Sequence, residues 1–168
     1  MATELREPKD LYNSDFHAWA QEQVQRLREI EASRPNLPLD FTHLIEEIED
    51  LVRRDVRAAK SQARRLMVHL LKLEYSPADR PRRQWLNTVD DARRELADAL
   101  SPSVLAIVSP QLTQLFTEAR VAAWRDLYDA DGPEIAALLP DDCPYSIDRL
   151  TRTDWYPTNR HDLTDDTP

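Results

Sequence analysis

Two features of this sequence have side chains that could support acid–base or metal chemistry. The first is a cluster of carboxylates, Glu46, Glu47, Glu49 and Asp50, and the second is His69, which follows the cluster. Carboxylates on facing helices bind pairs of metal ions in some four-helix proteins. An imidazole can act as a general base or as a metal ligand. Either chemistry requires these side chains to be close together in space.

The spacing of these residues argues against a site within one helix. Each residue advances about 1.5 Å along an α-helix, so Glu49 and His69 would lie about 30 Å apart on a straight helix. A site would need a second helix or a second subunit, and Arg94 is a further candidate for such a polar cluster. Helical di-iron proteins also use a Glu-x-x-His motif, which this sequence lacks. We therefore predict no catalytic, metal-binding or cofactor-binding residues and no cofactor. Whether the chain is an enzyme stays open, and the sequence favours a protein that is not one.

The same residues also have a structural interpretation. Acidic side chains are favourable in the N-terminal part of a helix. Glu49 and Asp50 precede Arg53 and Arg54 by four residues, which is the spacing of a helical ion pair. His69 lies at the edge of an apolar stripe, where a half-buried histidine usually bonds to a carbonyl or a carboxylate. We favour this structural interpretation for both features.

A basic patch follows the carboxylates. Its members are Arg53, Arg57, Lys60 and Arg64. Residues 53–94 carry 12 basic and 5 acidic side chains, whereas residues 1–52 carry 5 basic and 12 acidic ones, and residues 95–168 carry 5 and 14. The patch could meet a phosphate backbone or an acidic partner, or it could be a solvated face that pairs with the acidic regions of the same protein. The net charge of −9 argues against a dedicated nucleic-acid-binding protein.

The carboxylates, the histidine and the basic patch all lie on a segment that we predict to be one long helix, near residues 40–74. The segment contains no Gly or Pro, and its apolar residues recur at a mean step of about 3.6, the α-helical period. The predicted apolar stripe consists of Leu44, Ile48, Val52, Val56, Ala59, Ala63, Leu66, Leu70 and Leu73. Such a helix is about 50 Å long. The small Ala59 and Ala63 allow partner helices to approach closely.

Further amphipathic segments surround the long one and complete an all-α fold. We predict main helices at 15–33, 83–100 and 110–129 and short helices at 102–108, 133–139 and 146–151. Ser101-Pro102 and Ser109-Pro110 each resemble a helix cap followed by a first-turn proline. The predicted fold is therefore a bundle of four main helices, including the long one near 40–74, with short helices at the C-terminal end.

Length and composition limit the domain organisation. A chain of 168 residues fits one domain, and we predict a loose N-terminus at 1–11, a single helical domain at 12–157 and a disordered acidic tail at 158–168. One Gly in the whole chain argues against dinucleotide-binding and phosphate-binding loops, which require this residue. The single cysteine, Cys143, cannot form an intrachain disulfide, and we expect it to be a packing residue.

The expected compartment follows from the same features. No apolar run reaches the roughly 20 residues of a membrane span, and the N-terminus lacks the apolar core of a signal peptide. We therefore expect a cytoplasmic protein without a membrane partner.

The order of several motifs resembles a known family. These motifs are Leu11-Tyr12, Asp15-Phe16, Trp19, Leu44-Ile45-Glu46-Glu47-Ile48-Glu49, His69-Leu70-Leu71-Lys72, Trp85 and Cys143-Pro144-Tyr145. Over residues 11–157 the chain resembles the bacterial domain of unknown function 29 family. It departs from the family where Val52-Arg53 replaces a frequent Gly and where Leu73-Glu74-Tyr75 replaces a frequent Trp. The resemblance implies an all-helical cytoplasmic protein with no established activity, and it supplies no catalytic residues.

The leading prediction for function is a non-enzymatic interaction or regulatory module that binds another protein through its helix faces. One alternative is a nucleic-acid-associated or toxin–antitoxin-like component that uses the basic segment at 53–94. Another is a metal-dependent hydrolase whose site, built from Glu46, Glu49 and His69, is assembled across helices or subunits. A homodimer is expected because a helix of about 50 Å extends beyond its neighbours.

Overall fold

The molecule is a helical bundle built around one helix that is much longer than the others. The computed structural model describes residues 8–33 and 36–163. Its helices are α1 (Pro8–Ser14), α2 (Phe16–Ala32), α3 (Phe41–Tyr75), α4 (Arg82–Ala99), α5 (Pro102–Val108), α6 (Leu112–Asp131), α7 (Pro133–Ala136) and α8 (Ile147–Thr151), with a 3-10 turn at Ser109–Gln111. The predicted all-α fold with four main helices, α2, α3, α4 and α6, is confirmed. No helix within the described part of the chain is long and apolar enough to cross a membrane.

The long helix has nearly the limits expected from the sequence. The Asp40 carboxylate accepts a hydrogen bond from the backbone N–H of His43 at 3.2 Å and caps the helix, as short acidic side chains commonly do. The helix ends at Tyr75, directly before Ser76 and Pro77, because proline disfavours a helical conformation in the residue before it. Between these ends the helix spans 35 residues with no helix-breaking residue.

The two halves of α3 have different neighbours. α2 runs antiparallel along the first half, where Arg28 forms an ion pair with Glu49. The second half lies between α4 and α6. There the Lys72 ammonium lies 2.8 Å from the Asp126 carboxylate of α6 and 4.9 Å from the centre of the Trp85 ring of α4. The first half therefore belongs to a two-helix arm, and the second half belongs to a three-helix core.

Burial along α3 follows this division. Seven residues of its second half are fully inaccessible, namely Ala59, Ala63, Leu66, Met67, Leu70, Leu71 and Leu73. In the first half Phe41 and Ile45 are buried, while Leu44 is 40% exposed. The predicted apolar stripe was therefore wrong at Leu44, because α2 contacts the adjacent face that contains Phe41 and Ile45.

The last described residues pack against the end of α3. The Asn159 amide donates hydrogen bonds to the carbonyls of Leu73 at 2.8 Å and Ser76 at 2.9 Å. The Arg82 guanidinium also donates to the Leu73 carbonyl, at 2.8 Å. These bonds satisfy carbonyls that a helix end leaves without a partner inside the helix. We predicted disorder from residue 158, but residues 158–163 lie in this contact, and the remainder of that segment is outside the described residues.

The N-terminal segment contains a helix that the sequence did not indicate. We predicted a loose segment at 1–11, and Pro8–Ser14 forms α1. The Tyr12 ring packs edge-on against Trp19 of α2, with ring centres 4.8 Å apart, and this contact holds α1 on α2. Asp15 caps α2 and accepts a hydrogen bond from the Ala18 N–H at 3.1 Å. The first seven residues lie outside the described part of the chain.

The two predicted serine caps have different outcomes. The Ser101 hydroxyl accepts from the Val104 N–H at 3.3 Å and caps α5, as expected. The Ser109 prediction was wrong, because this residue has helical backbone angles and its N–H donates to the Leu105 carbonyl at the end of α5. The chain therefore passes from α5 to α6 through one 3-10 turn rather than through a new cap.

Candidate functional site

Two of the four carboxylates near the start of α3, Glu49 and Asp50, take part in surface ion pairs. Glu49 binds Arg28 of α2 and lies 3.6 Å from Arg53, so the predicted pair between Glu49 and Arg53 is confirmed. Asp50 binds Arg53 rather than the predicted Arg54. These contacts fix the surface of the arm and use the carboxylates as ion-pair partners for arginines.

The four residues proposed as a polar cluster lie at separate places. Glu46 and Glu49 are on the arm, whereas His69 is 20 residues further along the same helix, about 30 Å away. Arg94, on α4, forms an ion pair with Asp91 of its own helix. Within residues 8–33 and 36–163, no three His, Cys, Asp or Glu side chains are placed to hold one metal ion. The chain thus does not bring the predicted cluster together.

His69 occupies an unusual electrostatic environment on the second half of α3. Its ring is half-buried, and its Nδ1 atom is buried without a hydrogen-bond partner among the described residues. We expected a bond to a carbonyl or carboxylate, and Nδ1 has none. Burial, together with the nearby cations Lys72 and Arg65, lowers the pKa of His69 to about 4 against the opposing effect of Asp126. The imidazole is therefore neutral at physiological pH.

We expect the His69 ring to titrate near pH 4 in an NMR titration. His43, on the same helix, is an internal control, because its bond to Asp40 raises its pKa above the usual value. Since the unfolded chain binds a proton at His69 near pH 6.5 and the folded chain does not, stability should fall as the pH drops from about 6.5 towards 4. The substitution His69→Gln should remove that part of the pH dependence. A His69 titration at or above pH 6.5 would contradict the environment described.

A groove between α3 and α6 gathers three members of the basic patch. We call it the basic groove; one wall is Arg57, Lys60, Ser61 and Arg64 of α3, and the other is Gln111 of the 3-10 turn with Gln114, Leu115 and Glu118 of α6. Its volume is about 250 Å³. Steps of three and four residues place the α3 side chains on one face. Glu118 is the single carboxylate of the lining, and it lies 3.3 Å from Arg64. Arg57 and Lys60 have no ion-pair partner among the described residues.

A second groove lies between α2 and α3, and it differs in charge. Its volume is about 360 Å³, and its lining includes Arg28, Glu49 and Arg53. Arg28 is bound to Glu49, and Arg53 is bound to both Glu49 and Asp50, so this groove has little unbalanced charge. The structure thus separates Arg53, the fourth member of the predicted patch, from the other three.

The outer face of α6 carries an exposed apolar stripe that sequence reasoning missed. Val121, Trp124 and Tyr128 are 44%, 39% and 44% exposed, and the two aromatic rings stack with their centres 4.8 Å apart. The spacing of 3 and 4 residues was the available signal, but on a wide arc it does not show which part faces the core.

Cys143 has the character of a packing residue. The thiol is half-buried and lies 3.5 Å from the Tyr145 carbonyl. Burial raises its pKa, with the bond to the Tyr145 backbone opposing. A raised pKa lowers the thiolate fraction and with it the nucleophilicity of the thiol, which agrees with the expectation from the sequence.

Comparisons with known proteins agree with the helical architecture. The family model described as "Domain of unknown function DUF29" matches residues 11–156. A solved structure of an alpha-helical protein of unknown function from Rhodospirillum rubrum is similar, with a TM-score of 0.75 and 28% sequence identity. The similarity covers 85% of this chain and 90% of that chain. No curated protein matches the sequence.

Proposed function

Because this chain belongs to the DUF29 family of unknown function, its role must be inferred from its own surface, and we propose that it is a non-enzymatic interaction module. Its docking surface in this proposal is the basic groove, and its ligand is an acidic segment of a protein partner. The observation that carries the proposal is the imbalance of charge in this groove.

The imbalance makes the groove complementary to carboxylates. Arg57 and Lys60 lie on one wall without ion-pair partners among the described residues. Arg64, on the same wall, forms an ion pair with Glu118 of the opposite wall. Neighbouring cations repel one another, so an acidic ligand that enters the groove relieves this repulsion as well as forming new ion pairs. Leu115, only 7% exposed, adds an apolar surface to the lining. The groove therefore suits a segment with acidic and apolar side chains.

The spacing of the cations defines the form of the ligand. Arg57 and Arg64 are seven residues apart on α3, which is about 10 Å or two helical turns. A partner helix with acidic residues spaced by three or four positions would present carboxylates at the same intervals. The ligand that fits best is thus an acidic amphipathic helix.

The outer stripe of α6 lies next to this groove and strengthens the proposal. Gln114 lines the groove, and Val121 and Tyr128 follow it at seven-residue intervals on the same helix face. Exposed Trp and Tyr side chains contribute much of the binding energy at protein interfaces. A helix bound in the groove could extend onto Trp124 and Tyr128, which would bury their exposed surface.

A nucleic acid is the less favourable ligand for this surface. A phosphate backbone carries regular negative charge, and the exposed side of α3 becomes acidic at Glu46 and Asp50, directly before the basic residues. A long polyanion would meet repulsion there, whereas a short acidic helix would not need to extend so far. The net charge of −9 further disfavours its approach.

Fluorescence anisotropy with a labelled acidic helical peptide tests the proposed function. The double substitution Arg57→Glu and Arg64→Glu should weaken binding about tenfold or more. Glu118→Gln should strengthen it, because Arg64 loses its competing carboxylate. Arg83→Glu changes an exposed arginine on α4 and is the matched control, with little expected effect.

Two outcomes would overturn the proposed function. The first is that the peptide does not bind or that the double variant binds as well as the original chain. The second is that 20-nucleotide DNA or RNA binds more tightly than the peptide at the same salt concentration, and that the double variant loses this binding. The second outcome would assign the groove to nucleic acid.

We also propose that the protein acts in the cytoplasm. The single cysteine, which is half-buried and cannot form an intrachain disulfide, is compatible with a reducing compartment. Fractionation of cells that express the tagged chain tests this proposal, and recovery in the membrane or extracellular fraction would contradict it.

A further inference from the structure

We propose that a second copy of this chain supplies the acidic segment, through antiparallel pairing of the first halves of two α3 helices. This inference rests on the proposed function and names the partner. It follows from three observations: the first half of α3 has an exposed side with two apolar residues, that side has a self-complementary order of charges, and it continues into the basic groove.

The first half of α3 leaves one side open. α2 covers the face that contains Phe41 and Ile45, and the ion pairs of α4 and α6 with α3 lie on its second half. Leu44 and Leu51, seven residues apart and hence on one face, are each 40% exposed. An exposed helix face with apolar residues at this spacing is suited to packing against another helix.

The charges on the exposed side of this half change sign once. The acidic residues Glu46, Glu47 and Asp50 come first, and the basic residues Arg53, Arg54 and Arg57 follow. Parallel pairing in register of two such helices would place like charges together. Antiparallel pairing places the acids of each copy beside the bases of the other. The order of charges therefore selects a twofold-symmetric, isologous contact.

The register of this contact can be read from the charges. A twofold axis near residue 52 places Glu47 opposite Arg57 of the second copy and Asp50 opposite Arg54 of the second copy. Symmetry repeats both pairs. The two Leu51 side chains then lie on either side of the axis, where they contribute apolar contact. Asp50 must exchange its present partner, Arg53, which is feasible because both side chains are more than half exposed.

The same register leads the second helix to the basic groove. With the axis near residue 52, the helix start at Asp40 lies at the level of Arg64 of the first copy, about 18 Å from the axis. The acidic N-terminal end of each α3 thus reaches the groove of the other copy. Each molecule supplies both a groove and an acidic segment, so the contact closes as a dimer rather than continuing as a filament.

A charge-exchange experiment tests the dimer. One variant carries Glu46→Arg, Glu47→Arg and Asp50→Arg, and a second variant carries Arg53→Glu, Arg54→Glu and Arg57→Glu. Analytical ultracentrifugation should show a dimer for the original chain and at least a hundredfold weaker self-association for each variant. An equimolar mixture of the two variants should recover a heterodimer, because every contact again joins opposite charges. High salt should weaken the original dimer.

A matched control tests whether the loss of dimerisation is specific to the charges on α3. Exchange of the exposed pair Arg152 and Asp154, through Arg152→Glu and Asp154→Arg, alters surface charge on residues outside α3 and should leave the dimer unchanged. Circular dichroism checks that each variant is folded. If a triple variant loses its helical signal, Leu51→Glu at the axis takes its place, with an expected weakening of about tenfold.

The outcomes separate this inference from the proposed function. A monomer at 100 µM, the concentration chosen as the upper limit, would overturn the inference, and so would variants that dimerise normally or a mixture that does not associate. Binding of an acidic peptide to a monomeric chain would leave the proposed function standing without the second copy. If the chain is monomeric and the peptide does not bind, both proposals fall.

Discussion

Replacing Arg93 with methionine is expected to lower the free energy of unfolding by about 2–4 kcal/mol. Arg93 is 2% exposed, and it joins α4 to the C-terminal segment. Its Nε donates to the Leu150 carbonyl at 3.2 Å, its Nη2 donates to the Trp155 carbonyl, and the guanidinium lies 4.8 Å from the centre of the Tyr156 ring. Methionine fills similar space but leaves both carbonyls without this donor.

The size of this effect follows from burial. A buried acceptor that loses its only charged donor costs about 1–3 kcal/mol, and two acceptors are affected. The ring contact over Tyr156 adds a smaller loss. Burial also lowers the pKa of Arg93, with Tyr156 and Asp90 opposing, but an arginine remains protonated in a folded protein. The side chain therefore contributes a fixed charge and directed hydrogen bonds.

Urea unfolding followed by circular dichroism measures this prediction. Arg94→Met is the matched control, because its side chain is 75% exposed, and it should change stability by less than about 0.5 kcal/mol. Arg93→Lys should give an intermediate loss, since lysine keeps the charge but not the planar set of donors. Hydrogen exchange should quicken first in α8 and in residues 152–156. An Arg93→Met protein as stable as the original would contradict this role.

The helices themselves could be predicted from local signals. The limits of α3 follow from a cap at Asp40 and from the proline after Ser76, and both signals lie within a few residues of the helix ends. Apolar periodicity likewise gave α4 and α6 nearly correctly. The ends of a helix depend on short-range steric contacts and hydrogen bonds. A single sequence is therefore sufficient to predict them.

The hydrogen bonds between buried side chains and distant backbone carbonyls could not be predicted from local signals. Arg82 and Arg93 belong to a segment rich in basic residues, and nothing in their spacing separates these two buried arginines from their exposed neighbours. Their partners include backbone carbonyls such as those of Leu73 and Leu150. Every residue has a carbonyl, so a carbonyl partner has no sequence signature. The same reason explains why the role of Asn159 was missed.

One wall of the basic groove could be predicted from the sequence, and the other could not. Arg57, Lys60 and Arg64 follow helical spacing, and the sequence places them on one face. The opposite wall depends on the register of α6 against α3, which sets Glu118 beside Arg64 across 54 residues of chain. Packing of the whole core determines that register. A motif search along α3 therefore finds the cations but not the groove.

Replacing Asp15 with alanine should lower the free energy of unfolding by about 2–3 kcal/mol. This carboxylate is 7% exposed and serves two helix starts at once. Oδ1 accepts from the Ala18 N–H of α2 at 3.1 Å, and Oδ2 accepts from the Ser103 N–H of α5 at 2.8 Å. Its loss leaves two backbone donors without this partner and separates α2 from α5.

The pH dependence of this loss provides a second, independent measurement. Burial alone would raise the pKa of Asp15, but the hydrogen bonds from Ala18, Ser103 and Ser101 outweigh it, and the pKa is lower than usual. A lowered pKa in the folded state means that the carboxylate stabilises the protein fully above about pH 4, and that this contribution is lost as the pH falls through the folded-state value. The stability difference between the original chain and Asp15→Ala should therefore be constant from pH 6 to 8 and shrink in acid. Asp15→Asn, which keeps one acceptor oxygen, should lose about half as much free energy of unfolding at neutral pH as Asp15→Ala. A stability difference between the original chain and Asp15→Ala that grows in acid would contradict the assigned hydrogen bonds.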